Sequence, residues 1–388
     1  MPGTPTRYLK LALRWGVTLL FVGWVVSKID WHDKVVLPNG AAIYGRVVQT
    51  PEGFEIYGNG GPPHSVPRAA ASGPLSDDAP QPVYVPGFLT ALKRIQPAIF
   101  LLAIPVYPLG ILLSALRWHA LMVSQGFELP WTQSVRLTWV GYFWNLVFPG
   151  VTGGDVVKAY YVARANQRKT EAITIVFLDR VIGIVAMAGL AATCILLHLH
   201  QSEFEGVKFI IFALFLTALA GGVLFYSRRL RRLIGLDRLL AALPFRSRIA
   251  LVDQAIFHYR HHKHILVWAV ALSIAAHLIM VLTFVLIGRS LNLPAAPINY
   301  FIFVPVIMIV SALPISAGGL GVMEGLFVQF FTLSGVGATA TGALALSLLF
   351  RVVTIVTSIP GALVGLRHFA PPSTPADETV GVTVTASK

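Results

Sequence analysis

The chain has 388 residues, of which 55% are hydrophobic and 12% are charged, and its net charge is +13. Soluble domains carry about 25% charged residues, so this composition excludes an ordinary soluble domain and predicts a membrane protein. The single cysteine, Cys194, excludes a disulfide framework and a cysteine-based zinc site. In membrane proteins lysine and arginine collect in cytoplasmic loops, so the positive charge does not imply a nucleic-acid partner.

A basic segment with Arg7, Lys10 and Arg14 precedes an apolar run at residues 15–26. A basic start and a short apolar core are also typical of a signal peptide, but no small-residue cleavage site follows the run. We therefore predict that residues 1–30 contain a retained first transmembrane helix with its N-terminus in the cytoplasm.

Residues 31–87 form a polar insertion after this helix. Strand-like runs at residues 35–37, 42–48 and 54–57 are separated by Pro-Asn-Gly and Pro-Glu-Gly turns. Residues 58–86 are rich in glycine, proline, alanine and serine and are predicted to be a linker. Acidic residues outnumber basic ones, which favours the outer side of the membrane. The insertion is either a small β-rich extracytoplasmic domain that senses or docks something outside, or a spacer.

Five further apolar runs are about long enough to cross a bilayer, which takes about 20 residues. They lie at residues 98–116, 172–197, 207–226, 265–287 and 338–366, which gives about six full spans in all. Arg117 and His119 are interpreted as the cytoplasmic end of the second span. The highest density of basic residues, between Arg228 and Lys263, marks a cytoplasmic loop. The tail, residues 370–388, is predicted to be disordered and cytoplasmic.

Two apolar stretches are broken by proline and glycine before an acidic residue. The residues concerned are Pro149-Gly150, Gly153-Gly154 and Asp155, and then Pro314, Gly318-Gly319 and Glu324. Irregular backbone is tolerated in a membrane only where protein or a wet cavity surrounds it. Each stretch is therefore predicted to be a re-entrant hairpin, with its glycines at non-helical positions. The predicted fold is an all-α polytopic membrane protein, with two broken hairpins on opposite sides in an inverted repeat.

Charged residues inside the apolar runs indicate function, because a charge at the bilayer centre costs about 2.5–3.5 kcal/mol. Arg180 and Arg351 both lie within such runs. Asp179 and Arg180 are adjacent, so on a helix they point in different directions and each needs a partner elsewhere. Asp155 and Glu324 are the natural candidates as partners. The pairs either lock helices together or, with backbone N–H groups at the breaks, form a site for phosphate or carboxylate.

The motifs in combination resemble one family. They are Arg117-Trp118, Asn145, Pro149-Gly150, Gly153-Gly154-Asp155, Lys158-Ala159, Asp179-Arg180 and Pro314-x-Ser316-x-Gly318-Gly319-x-Gly321-x-x-Glu324. Over residues 95–367 the chain resembles the lysylphosphatidylglycerol synthase transmembrane (flippase-like) family, as a stand-alone member without the synthase domain. The resemblance implies lipid handling. The candidate substrate-binding residues are Asn145, Gly153, Gly154, Asp155, Asp179, Arg180, Ser316, Gly318, Gly319, Glu324 and Arg351.

The sequence therefore predicts a lipid flippase in a bacterial inner membrane, with both termini in the cytoplasm, that moves an anionic phospholipid or a polyprenyl lipid. No soluble-type catalytic motif occurs, so neither an enzyme nor a cofactor or metal is expected. Two alternatives remain open. One is a structural or regulatory partner of envelope proteins, and the other is a lipid-linked glycosyltransferase that uses Asp77-Asp78.

Overall fold

The fold is taken from a computed structural model of the full chain. It describes residues 30–37, 41–58, 62–67, 83–147, 153–165, 169–198, 204–235, 259, 263–313, 316, 319–333 and 336–368, together with residues 16, 19, 20, 23, 24 and 27. The tail, Pro149-Gly150, Pro314 and Gly318 lie outside these residues, and so does Asp77-Asp78. Predictions that fall on them are not tested by the structure.

The described elements are six strands followed by eleven helices. The strands are β1 Lys34–Val36, β2 Ala42–Tyr44, β3 Arg46–Thr50, β4 Gly53–Tyr57, β5 His64–Pro67 and β6 Val83–Val85. The first helices are α1 Phe88–Lys93, α2 Pro97–Ser124, α3 Trp131–Val147, α4 Gly153–Ala165, α5 Lys169–Leu197, α6 Glu205–Tyr226 and α7 Arg228–Leu233. The last four are α8 Lys263–Ser290, α9 Pro297–Ser311, α10 Val322–Phe331 and α11 Ala340–His368.

The strands form a small β-module of two three-stranded antiparallel sheets, with strand orders β2-β1-β6 and β3-β4-β5. Its core consists of Val35, Phe54, Ile56 and Val66. The strands β5 and β6 lie in the segment predicted to be a linker, so that part of the prediction is wrong. The sequence signal fails because β6 is three residues long and pairs with β1, which is distant in the chain.

The β-module is joined to the helical bundle through α1, which begins directly after Gly87. The carboxylate of Asp33 accepts hydrogen bonds from the Gly87 N–H at 2.7 Å and from the Tyr84 hydroxyl at 3.0 Å. Burial and the nearby Asp33 raise the pKa of Tyr84 to about 12, so its hydroxyl remains a donor at neutral pH. The N–H of Gln96 donates to the carbonyl of Ser290 at 2.8 Å, which places the start of α2 beside the end of α8.

Five helices within the described ranges are long and apolar enough to cross a membrane. They are Pro97–Ser124, Glu171–Leu197, Glu205–Leu224, Lys263–Ser290 and Ala340–Gly365. Each coincides with a predicted run, which confirms a polytopic all-α membrane protein with small N-terminal sheets. The described residues between 16 and 27 are helical, and the remainder of the predicted first helix lies outside the described part of the chain.

The two halves of the bundle have matching helices: α2, α3, α4 and α5 correspond to α8, α9, α10 and α11. The most extensive helix contact is between α2 and α8. The short helix α3 packs on α11, and its counterpart α9 packs on α5, so each half holds the broken element of the other. Contacts exchanged in this way are what a two-fold inverted repeat produces. Helices α6 and α7 connect the halves.

Both broken elements are hairpins. The link between α8 and α9 and the start of α11 meet at the β-module end, where a Cβ at Gly337 would contact Pro294 and one at Gly342 would contact Leu293. The hairpin α9–α10 therefore opens toward that end. The hairpin α3–α4 opens toward the other end, because α2 and α5 run between the two ends. This arrangement brings Asn145 and Asp155 of the first hairpin and Gly319 and Met323 of the second to one cavity.

Candidate functional site

A cavity of about 310 Å³ lies between the two hairpins, and all eight helices of the repeat contribute to its lining. Its polar lining consists of Tyr107, Ser114, Arg117, Tyr142, Asn145, Asp155, Lys158, Asp179, Arg180, His277, Ser311, Arg351 and Thr354. Four methionines, at positions 187, 280, 308 and 323, supply much of its apolar wall. Methionine side chains adapt their shape easily, so this wall can accommodate ligands of different outline.

The first hairpin is closed by a side-chain cap and a glycine contact. The amide oxygen of Asn145 accepts a hydrogen bond from the Gly154 N–H at 2.8 Å, which satisfies a free donor at the start of α4. A Cβ at Gly154 would overlap the carbonyl of Gly141 on α3, so a glycine is needed for the two helices to approach. The prediction that Gly153 and Gly154 are non-helical is wrong, because both belong to α4.

The carboxylate of Asp155 lies between two cations. Its oxygens are 3.4 Å from Nη2 of Arg180 on α5 and 3.9 Å from Nζ of Lys158, one turn along its own helix. The side chains of Asp155 and Arg180 are 24% and 26% exposed. This ion pair is therefore partly hydrated and weak, and a single carboxylate is the counter-charge of two cations.

The second hairpin holds a tighter pair. One oxygen of Glu324 accepts the Gly321 N–H at 2.7 Å and thereby caps α10, while the other accepts Nε–H of Arg351 at 2.7 Å. The Glu324 side chain is only 3% exposed. At Gly319 and Gly321 the backbone has positive φ angles of 70° and 80°, which glycine adopts at little cost. Ser316 is buried in the break itself.

A third buried pair was not predicted. Nε and Nη2 of Arg117 donate to the two oxygens of Asp179 at 2.6 and 2.9 Å, and Nη1 donates to Ser273 at 2.7 Å. The interpretation of Arg117 as the end of the second span is wrong, because α2 continues to Ser124 and Arg117 is 8% exposed. This bidentate pair joins α2, α5 and α8 at the base of the cavity.

The structure brings most of the candidate residues together. Asn145, Asp155, Asp179, Arg180, Gly319 and Arg351 line the cavity. Glu324 is connected to it through Arg351, and Gly154 through Asn145. Gly153 and Ser316 are not among the lining residues, and Gly318 lies outside the described part of the chain. Whether these residues bind substrate stays a prediction.

Among the lining residues that the sequence analysis missed, three carry an ionisable group: His277, Tyr107 and Tyr142. His277 offers the clearest signal, because it is the single ionisable residue between positions 265 and 287. The two tyrosines carry no comparable signal in an aromatic-rich chain. Within the described ranges, no three His, Cys, Asp or Glu side chains come together as a metal site would require.

The cavity carries an excess of positive charge. In the described part of the chain, its charged groups are the cations of Arg117, Lys158, Arg180 and Arg351 and the carboxylates of Asp155, Asp179 and Glu324. With His277 neutral, one positive charge is therefore not balanced by a carboxylate. The protein interior has a lower dielectric constant than water, so this unbalanced positive charge attracts an anion more strongly than it would in water.

Comparison with known proteins identifies the family of the chain. A family model described as "Lysylphosphatidylglycerol synthase TM region" matches residues 84–361, which is more than half of the chain. The chain belongs to this family. The match begins at β6 and leaves the remainder of the β-module outside the family region.

One curated relative is the UPF0104 membrane protein PH1989 of Pyrococcus horikoshii, which is 26% identical over 97 residues. The alignment covers 24% of this chain and 29% of the relative, so the chain spans less than a third of the curated relative it matches. This similarity agrees with membership of a membrane-protein family. It assigns no substrate.

Proposed function

We propose that this protein moves an anionic lipid, a phospholipid or a polyprenyl phosphate, between the leaflets of the membrane. The observation that carries the proposal is the excess positive charge of a cavity inside the transmembrane bundle, between two hairpins that open to opposite ends. A phosphate headgroup would balance this charge. A charge held inside a membrane is costly, and evolution keeps such groups where they contact ions or substrates.

The depth of the arginines supports this function. Arg180 is the tenth residue of the span Glu171–Leu197, about 14 Å from its start, and Arg351 is the twelfth residue of Ala340–Gly365, about 17 Å from its start. Both guanidinium groups therefore lie near the middle of the hydrocarbon layer. Broken helices of inverted repeats surround the midplane substrate site in many transporters.

The size of the cavity fits a headgroup. Ligand pockets range from about 300 to 1,000 Å³, and this one is about 310 Å³. It accommodates a phosphate ester with a small polar substituent, whereas the acyl or prenyl chains would remain in the bilayer. The arginine fork can donate two parallel hydrogen bonds to phosphate oxygens.

The proposal includes an orientation and a location. Both termini lie in the cytoplasm, and the β-module lies outside an inner membrane, because the loop between Arg228 and Lys263 is the most basic in the sequence. In this orientation the hairpin α3–α4 opens toward the cytoplasm and α9–α10 toward the outside. The protein itself performs no covalent chemistry in this proposal.

A second function is favoured by one observation on the β-module, namely exposed aromatic side chains outside the helical bundle. Trp31, Tyr44 and Tyr57 are 48%, 56% and 43% exposed. Aromatic residues are enriched in the cores of protein interfaces, so a role as a structural partner of another envelope protein is the alternative.

An exchange assay tests the proposed function. Purified protein in vesicles with a fluorescent phosphatidylglycerol should make the lipid of the inner leaflet accessible to a membrane-impermeant quencher. Arg351→Gln should abolish this exchange, whereas Arg289→Gln, an exposed arginine on α8, should leave it intact. If the wild type exchanges no lipid across a panel of anionic and polyprenyl lipids, the proposal is wrong and the partner function is favoured.

A further inference from the structure

We propose that His277 is a proton-binding residue of the cavity, and that an anionic headgroup and a proton bind together. This inference rests on the proposed function, because it assigns a proton as the co-substrate of the same site. It would make transport of the lipid respond to a pH difference across the membrane.

The hydrogen bond of His277 fixes which nitrogen is available. Nε2 lies 3.0 Å from the carbonyl oxygen of Gly183 on α5. A carbonyl only accepts hydrogen bonds, so Nε2 carries the hydrogen and the neutral ring keeps its lone pair on Nδ1. In the described part of the chain Nδ1 has no hydrogen-bond partner. It is therefore the atom that takes up a proton, and the carbonyl contact is retained in both protonation states.

The ring lies in the same layer as the buried charges. His277 is one helical turn after Ser273, which accepts a hydrogen bond from Arg117. Gly183 is one turn after Asp179 and Arg180 on the neighbouring helix. A proton on His277 is therefore close to the groups that the headgroup would contact.

Every helix around the cavity contributes to the electrostatic surroundings of His277. The titratable groups are Arg117 and Tyr107 on α2, Tyr142 on α3, Asp155 and Lys158 on α4, Asp179 and Arg180 on α5, Arg351 on α11, and Glu324 on α10 behind it. Helix α9 contributes Met308 and Ser311, which do not titrate. The three carboxylates each lie beside a cation. The excess positive charge of the cavity opposes a proton on His277 while no anion is bound, and a bound anion removes this opposition, so that the proton and the headgroup bind together.

Protonation of His277 would raise the excess positive charge of the cavity from one to two. An anion then binds more tightly, and by linkage a bound anion makes the proton bind more tightly by the same factor. A phosphodiester headgroup carries one negative charge. Moving it together with one proton therefore transfers no net charge across the membrane.

Binding calorimetry tests the coupling. Short-chain dihexanoyl phosphatidylglycerol serves as the probe, and the full-length protein in detergent is titrated in two buffers of different ionisation enthalpy. The wild type should take up at most about one proton per lipid, and its Kd should fall by up to about tenfold for each pH unit over the part of the range from about pH 8 to 5 in which binding takes up a proton.

The variant His277→Gln removes the proton site and keeps an amide that can donate to Gly183. It should bind the probe with no proton uptake and with a Kd that does not change with pH. His264→Gln, an exposed histidine on the same helix, is the matched control and should behave as the wild type. If His277→Gln does not fold, the wild-type proton count still decides the matter, because binding without proton uptake overturns the inference.

Lipid exchange in vesicles with an imposed pH difference distinguishes this inference from the proposed function. Faster exchange of fluorescent phosphatidylglycerol along the proton gradient, lost in His277→Gln, supports both. Exchange that ignores the gradient overturns the coupling and leaves the proposed function standing. Proton-linked binding without exchange of any lipid in the panel supports the proton site and overturns transport. Failure to bind both the probe and a short-chain polyprenyl phosphate overturns both.

Discussion

Removing the guanidinium of Arg351 would leave Glu324 as a buried carboxylate whose remaining described contact is the Gly321 N–H. The Glu324 side chain is 3% exposed, so water cannot replace the lost cation. Breaking a buried ion pair by removing one partner costs about 3–5 kcal/mol. We therefore expect Arg351→Gln to lower the free energy of unfolding by about that amount, measured by denaturant titration in detergent micelles.

The double variant Glu324→Gln with Arg351→Gln separates structure from binding. The glutamine at 324 can still accept the Gly321 N–H through its amide oxygen, and neither side chain is charged. Most of the lost stability should therefore return, and the coupling energy in a double-mutant cycle should be at least as large as the stability regained. The reasoning is refuted if Arg351→Gln is as stable as the wild type, or if the double variant is no more stable than Arg351→Gln.

Activity of the same double variant decides what the pair does. If Arg351 contacts phosphate, the stable double variant should exchange no lipid, and Arg351→Lys should recover activity only in part, because an ammonium group cannot form the two-pronged contact of a guanidinium. Restored exchange in the double variant would instead show that the pair only locks α10 to α11. Arg289→Gln is the control for a general effect of losing a positive charge.

Three further predictions follow from single contacts. Gly154→Ala should destabilise the protein by about 1–3 kcal/mol, because its Cβ would overlap the backbone of α3, whereas Gly221→Ala, with open space at its Cβ, should not; equal melting temperatures would contradict this. Asp179→Asn should lower the free energy of unfolding by about 3–5 kcal/mol, because it leaves a buried arginine without a counter-charge; denaturant titration measures this, and a wild-type value argues against a buried pair. A thiol introduced at the exposed Ser65 in a Cys194→Ser background should react with an impermeant reagent in intact cells; reaction only after lysis would reverse the proposed orientation.

The sequence predicts the spans and the residues of two of the three ion pairs for clear physical reasons. Apolar runs of bilayer length have few other stable structures, so all five described spans could be placed to within a few residues, except at the end of the second. Asp155 and Glu324 could be named as candidate partners of the buried charges, because a charge within the hydrocarbon needs a counter-charge and the breaks supply one each. The structure pairs Asp155 with Arg180 and Glu324 with Arg351.

Other features depend on tertiary structure that the sequence pattern does not carry. The bidentate pair of Arg117 and Asp179 joins residues that are 62 positions apart. In the sequence, Arg117 directly follows an apolar run, which is also the usual pattern at the cytoplasmic end of a transmembrane helix. The role of Gly154 was misassigned for a related reason. Glycine permits both a helix break and a close helix contact, and only the position of α3 decides between them.

The two halves differ in how they use their acidic residue, and this difference bears on where an anion would bind first. In the first half the capping and pairing roles are divided, because Asn145 caps α4 and Asp155 pairs with Arg180. In the second half Glu324 does both, since it caps α10 and holds Arg351. Moving Asp155 aside therefore leaves its helix capped, whereas moving Glu324 would expose a free backbone donor at a buried helix end. The distance from Nη2 of Arg180 to the carboxylate of Asp155 is 3.4 Å, whereas the distance from Nη2 of Arg351 to the carboxylate of Glu324 is 2.6 Å. The first pair is also more exposed than the second. Under the proposed function, a phosphate competes for Arg180 at lower cost than for Arg351, so binding begins in the first half while the second remains locked.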